Sequence, residues 1–387
     1  MKSWRDDPRA ETSPLFNDNR LKLGVFSHNG TGSIQTTAPD GWMPDWKASL
    51  DVSQIADIAG LEAVVPYARW RGPIADKGNH RSSYVFDTYT WAAGMAQGTK
   101  QTGVFCTSHV PTIHPVLAAK QCATIDHISG GRFGLNVVAG WNKLELEMFG
   151  APMKGHDDRY RQAGEWIDLL RRLWTEEEAF DFEGDFYTVT KAISLPKPVQ
   201  QPFPPIMNAG GSGAGQHFAA KYADMAFIML RGDDPAGWRA QVDSYRALAR
   251  DEYGRDIQIW SFASVVHRNT MAEAQALLDY YSREHLDAES LDAMMAMQGL
   301  HTQSVPPGQF EAVRQTFAWG GGFPLVGTSE HIVDRLESVS AAGVDGMLLT
   351  WFDYVGGARS TSSLRRQSLV KTAGISKANW AIIRSGA

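Results

Sequence analysis

Residues Gly131 to Lys143 read GRFGLNVVAGWNK, and the fold turns on this run. From Phe133 to Gly140 it is apolar on both faces, as a strand is when it is covered on either side. Asn136 interrupts it. A buried amide is ordinarily satisfied by neighbouring backbone, and taken alone Asn136 asks for no other explanation.

Seven more runs of this kind follow or precede it: KLGVFSH (Lys22 to His28), EAVVPY (Glu62 to Tyr67), TGVFCTSH (Thr102 to His109), PIMNAG (Pro205 to Gly210), MAFIML (Met225 to Leu230), IWSFASVVH (Ile259 to His267) and GMLLTW (Gly346 to Trp351). Helical patterns separate them. In DDRYRQAGEWIDLLRRLW, Tyr160, Ala163, Ile167, Leu170 and Trp174 fall three or four apart and make one apolar stripe. Eight strands alternating with crossover helices predict an α/β fold, a (β/α)8 TIM barrel with insertions. A doubly wound open sheet is the alternative, but near-continuous apolar strands of similar length suit closure better.

The 387 residues, 43% hydrophobic, suffice for a single barrel domain over 22–387, preceded at 1–21 by a polar arm with two prolines that is expected on the surface. FDFEGDFYTVT, Phe180 to Thr190, turns at Glu183-Gly184 and predicts a hairpin insertion near 180–190. The segment near 285–325 is too long for an ordinary connection and predicts a lid loop. Thr328 or Ser329 can cap the helix that carries Ile332, Leu336 and Val339, and a C-terminal helical segment is expected after the last strand.

With 37 basic against 43 acidic residues the net charge is -6, which argues against nucleic acid as a partner. No run approaches the roughly 18 apolar residues of a membrane span, so no membrane partner is expected. The two cysteines, Cys106 and Cys122, sit in apolar segments without paired spacing, which fits a reducing, cytoplasmic setting.

In such a barrel the chemistry belongs at the C-terminal strand ends. Those ends bring His28, Arg69, Thr107, His109, Asn136 to Trp141, Asn208 to Ser212, Arg231, His267 and Trp351 into consideration. AGGSGAG, Ala209 to Gly215, follows a strand and opens a helix, and reads equally as an anion nest or as a tight turn; it matches neither GxGxxG nor a Walker loop. Arg159-Tyr160 opens the long helix, where the Arg159 charge is answered either by Asp157 and Asp158 or by a ligand phosphate. Eleven histidines make no HxH or HExxH ligand pattern, so no metal is expected. No GxSxG elbow is present, and no spacing rule selects an acid pair from Glu145, Glu147 and Asp353. Together the nest, the Arg-Tyr pair, the polar strand ends and 13 tryptophans suit a flavin, which supplies redox chemistry itself.

The ordered set SGGRFGLNVVAGWNKLELEMFG, HDDRYRQAGEWIDLLRRLW, EGDFYTVTKAISLPKPVQ, NAGGSGAGQHFAAKYAD and LVGTSEHIVDRL resembles the bacterial luciferase-like family of flavin-dependent monooxygenases, from about Lys22 to Asp353. The likeness is greatest to members that open a pyrimidine ring, with sulfone and sulfonate monooxygenases next. It implies a (β/α)8 barrel, a homodimer or homotetramer, that uses O2 and FMN, supplied as FMNH2 by a separate NAD(P)H:flavin reductase. The reaction implied is oxygenation of a small-molecule substrate, an N-heterocycle or amide with C–N cleavage; C–S cleavage of a sulfonate or sulfone is the rival, and a deazaflavin-dependent dehydrogenase shares the barrel. By the same resemblance Thr107 and Asn136 lie where oxygen is held at the flavin edge. Ala68, Arg69 and Glu145 lie beside the isoalloxazine, and Arg159, Tyr160, Gly211 and Ser212 at the phosphate. His28, His109, Trp141, Arg231, His267 and Trp351 are the candidate substrate contacts.

Overall fold

A computed structural model describes residues 4, 7–300 and 308–360 of the chain. Eight parallel strands close into a barrel: β1 (Lys22–Phe26), β2 (Ala63–Val65), β3 (Gly103–His109), β4 (Phe133–Val138), β7 (Ile206–Asn208), β8 (Met225–Phe227), β9 (Gln258–His267) and β11 (Gly346–Trp351), the last pairing with β1. β5 (Phe180–Glu183) and β6 (Thr188–Ala192) form a separate antiparallel hairpin.

A ninth barrel-sheet strand, β10 (Phe323–Gly327), was not among the sequence candidates. β9 is ten residues long, so its first part pairs with β8 while its second part, Ala263 to His267, rises above β8 and pairs with β10. FPLVG is short and begins next to a Gly-Gly-Gly run, which hides its strand character.

The helices are α1 (Trp46–Ile58), α2 (Thr88–Gly98), α3 (Pro115–Ser129), α4 (Lys143–Met148), α5 (His156–Thr175), α6 (Gly213–Tyr222), α7 (Pro235–Tyr253), α8 (Met271–Asp279), α9 (Ala288–Met297), α10 (Phe310–Ala318) and α11 (Ser329–Ala341). Local sequence fixes their ends. Asp234 caps α7 with Pro235 in its first turn and Gly254 ends it at φ 62°, a conformation that favours glycine. Thr328 caps α11. The C-terminal helical segment expected beyond residue 360 lies outside the described residues.

Two apolar layers result. Val25, Val64, Val104, Cys106, Leu135, Val137, Ile259, Val265, Met347 and Leu349 point outward to the helices, while Ala63, Val65, Phe105, Met207, Met225, Trp260 and Leu348 fill the barrel. The alternation is the two-residue period of a strand.

The N-terminal arm is not a surface tail. Trp4, Leu15 and Phe16 join the barrel interior and close its lower end, and Gln258 Nε2 donates to the Leu15 carbonyl at 2.8 Å. Arg9 is anchored between Asp7 (2.7 Å) and Asp224 (3.0 Å), which Arg255 also approaches at 3.5 Å. The two prolines start single 3-10 turns, and the apolar Leu15-Phe16 pair outweighs the polar residues around it.

The segment expected as a lid loop is largely regular: α9, α10 and β10, with 301–307 outside the described residues. It is fastened to the loops after β1 and β2. Leu286 bridges to Thr36, Gln35 Oε1 accepts from Ser290 Oγ at 2.6 Å, and His80 Nε2 meets Asp287 Oδ2 at 2.8 Å. α9 thereby roofs this side of the mouth.

Candidate active site

The upper barrel has an aromatic floor. Phe26, Phe227 and Phe262 meet with ring centroids 5.4 to 5.8 Å apart. Above it strand parity turns polar residues inward: Thr107 follows Phe105 on β3, and Asn136 follows Gly134 on β4, where a Cβ would stand 2.5 Å from the Phe105 ring. The two strands pair in register at Thr107 and Asn136. Thr107 Oγ1 donates its proton to the Pro66 carbonyl, so it accepts from Asn136 Nδ2 at 3.1 Å. Thr107 thus orients Asn136, its own proton being held by the Pro66 carbonyl. One Asn136 N–H remains free of this pair, and its Oδ1 is buried without a partner.

On the next turn of β3 His109 points the same way. Its Nδ1 stands 3.6 Å from Glu145 Oε2, and its ring meets Trp70 edge-on at 5.5 Å. Burial, with Arg69 adding to it, pushes the His109 pKa down to about 4, so the imidazole is neutral at pH 7. Glu145 Oε1 accepts from the backbone N–H of Trp70 (3.1 Å) and Arg71 (3.3 Å), which ties the loop after β2 to α4. Burial raises its carboxyl pKa, opposed by those N–H groups and by Arg69. Arg69 itself lies over the Tyr67 ring at 5.0 Å and reaches Met294 Sδ of α9 at 3.8 Å. Ala68, beside it, is half-buried.

A second corner forms across the mouth. Ser212 caps α6, its Oγ accepting from Gly215 N at 3.2 Å, and the space in front of Gly211 and Gly213 is open. A Cβ on Gly215 would stand 2.6 Å from the Tyr160 hydroxyl, which puts that hydroxyl at the helix N-terminus. Arg159 donates to the Gly140 carbonyl, makes no ion pair with Asp157 or Asp158, and keeps a buried Nε without partner. Asp158 pairs with Arg161 instead. The Tyr160 phenol therefore faces the N-terminus of α6, where an anion is favoured, and Arg159 precedes it in the chain on α5.

Of the other expected substrate contacts, His28 and Trp351 lie on the helix side of the barrel wall. His28 is wholly buried between the barrel wall and the helices, bonded to Ser53 at 2.8 Å and edge-on to Trp91; its pKa is pushed down to about 3 by burial. Trp351 belongs to the outward layer of β11 and packs on the Gly357 backbone and Tyr354. His267 sits at the end of β9 against Ser329 at 2.9 Å, and Arg231 is exposed with its backbone held by Gln241. Trp141 is half-buried beyond β4. Sequence could not separate these from His109, because both faces of each strand are apolar. Tyr67, Trp70 and Met294 were not singled out in the sequence; Met294 came from the segment read as a loop. Among the described residues no group of three or more potential ligands could hold a metal, and no helix is long and apolar enough to cross a membrane.

A closed parallel barrel with polar residues at one strand end and an anion corner beside it defines a class that works on a bound cofactor. The family described as luciferase-like monooxygenase matches residues 21–346, and the chain belongs to that family. It is 33% identical over 337 residues to an FMNH2-dependent dimethylsulfone monooxygenase of Pseudomonas putida, covering 85% of this chain and 89% of the relative. It is 31% identical over 369 residues to a pyrimidine monooxygenase of Escherichia coli, covering 92% and 91%. A riboflavin lyase crystal structure superposes with a TM-score of 0.79 over 92% of each chain at 23% identity, a likeness of fold.

Proposed function

We propose that this chain is the oxygenase of a two-component system: it takes FMNH2 from a separate NAD(P)H:flavin reductase and uses O2 to oxygenate a small organic substrate, an N-heterocycle or amide with C–N cleavage. The observation that carries this reading is the Asn136 amide, held by Thr107 above an apolar floor with an N–H to spare and an unpartnered Oδ1. The residues present fit FMN. Arg159, Tyr160, Ser212 and the amides at Gly211 and Gly213 would hold its phosphate, and the phenylalanine floor would take the flat ring. Bound reduced flavin supplies the electrons that activate O2. The chain's part is to exclude water with the floor and the α9 roof, and to offer the Asn136 N–H to negative charge growing on oxygen. The identity to dimethylsulfone monooxygenases supports a second reading, C–S cleavage of a sulfone or sulfonate.

Family likeness supports a homodimer or homotetramer, and exposed Leu117 and Ile128 of α3 with neighbouring Ile193, Leu195 and Val199 supply apolar surface for it. The absence of disulfides, both cysteines being free and buried, accords with a cytoplasmic setting. The test is direct. Protein mixed anaerobically with FMNH2 and then with air should bind the flavin and oxygenate a member of a pyrimidine, amide, sulfone and sulfonate panel. Reoxidation indistinguishable from free flavin, with no binding, would sink the proposal.

A further inference from the structure

Arg69 is half-buried at the mouth, and among the described residues no carboxylate lies within ion-pair distance of it. Its neighbours are the Tyr67 ring and the Met294 thioether, whose sulfur, a weak acceptor, takes one N–H of the guanidinium. Glu145 gives its Oε1 to two backbone N–H groups, and its Oε2 lies beside His109 Nδ1 at 3.6 Å. Other buried or half-buried arginines donate to oxygen: Arg132 to Ser129, Thr99, Thr102 and Ala96, and Arg81 to the carbonyls of Thr36, Ala38 and Trp42. A partly desolvated fork left without an oxygen acceptor among the described residues is therefore a receptor for something that is not protein.

Its place decides what. The phosphate corner lies on α5 and α6, which follow β4 and β7, and the oriented amide on β3 and β4. Arg69 follows β2 and touches the roof through Met294 of α9. Resting on that reading of the site, we infer that Arg69 receives the substrate: it binds a neutral oxygen-bearing head, the carbonyl of an amide or pyrimidine or the sulfonyl of a sulfone. This departs from the expectation that Arg69 lies beside the flavin ring.

Neutrality follows from the charges around it. At this rim Arg71 is paired with Asp76 and Arg69 stands beside the Glu145 carboxyl, so a full anion gains one unpaired guanidinium. Recognition of a sulfonate or dicarboxylate calls for several converging cations. Arg231 and His267 do not converge here, and His109 is uncharged at neutral pH. A neutral dipolar oxygen loses less water and keeps the charge-assisted bonds.

The experiment compares wild type, Arg69→Gln and Arg69→Lys, each supplied with FMNH2, on uracil, acetamide, dimethylsulfone and methanesulfonate, with FMN affinity measured separately. Wild type should use a neutral compound and not methanesulfonate. Arg69→Gln should raise KM for that compound by about tenfold or more, with kcat less affected and FMN affinity unchanged, and Arg69→Lys should fall between. A loss of FMN affinity with unchanged KM, or saturable use of methanesulfonate, would overturn the inference. If wild type binds FMN but none of the neutral compounds by calorimetry, the inference alone fails; if it does not bind FMN, the proposed function fails.

Discussion

The two ends of the barrel are built from the same chemical groups and treat them oppositely. At the lower end the arm's polar groups are paired with the barrel: Asp224 faces Arg9 and Arg255, and Glu62 accepts from Asn17, Asn19 and the Leu23 backbone. Burial works against the Asp224 charge, yet the two arginines overcome it and hold its carboxyl below the usual range. At the mouth Asn136 Oδ1, Glu145 Oε2 and Arg159 Nε are buried without a hydrogen-bond partner. Ion pairs mark the end that holds the fold together, while among the described residues Arg159 at the mouth makes none.

Substitutions at the two ends should therefore separate stability from activity. Asp224→Ala strands two buried guanidiniums and should cost about 3–5 kcal/mol in urea unfolding; a cost below about 1 kcal/mol would mean the arm is not held through this cluster. Asn136→Ala should leave FMN binding intact while product per FMNH2 falls about a hundredfold and hydrogen peroxide appears in its place. Product yield equal to wild type would remove Asn136 from the oxygen site. Arg159→Ala should weaken FMN binding by about 1.5–3 kcal/mol, and an unaltered dissociation constant would leave the arginine a mere brace of Gly140.

Acid probes two buried histidines on the mouth side of the barrel. His28 and His109 have folded pKa values of about 3 and about 4, below the ordinary value of about 6.5. Their contribution is whole above about pH 6.5 and is lost as pH falls towards about 4, because the unfolded chain takes up protons the folded one refuses. By pH 5.5 each should cost at most about 1.4 kcal/mol, and His28→Gln should flatten the slope of stability against pH between those limits. Trp351→Phe should change least: KM for the substrate stays at the wild-type value, and a severalfold rise would return Trp351 to the site.

The barrel was legible in the sequence because its strands are apolar runs separated by striped helices, a pattern few other architectures share. The polar pair was legible too, since an amide and a hydroxyl near the ends of neighbouring strands needed only correct register to meet. What escaped was direction. Trp351 and His109 both end apolar strands, but one lies in the outward layer and the other points inward, and a strand covered on both sides carries no periodicity to tell them apart. The arm escaped for another reason: its composition is polar, while its function rests on Trp4, Leu15 and Phe16.

That arm also ties distant parts of the sequence together. Asn17 and Asn19 reach Glu62, while Trp4, Arg9 and Leu15 meet Phe203, Asp224, Asp256 and Gln258, some 190 to 250 positions along the chain. One short segment thus clasps strands from the first and second halves of the barrel at the same end.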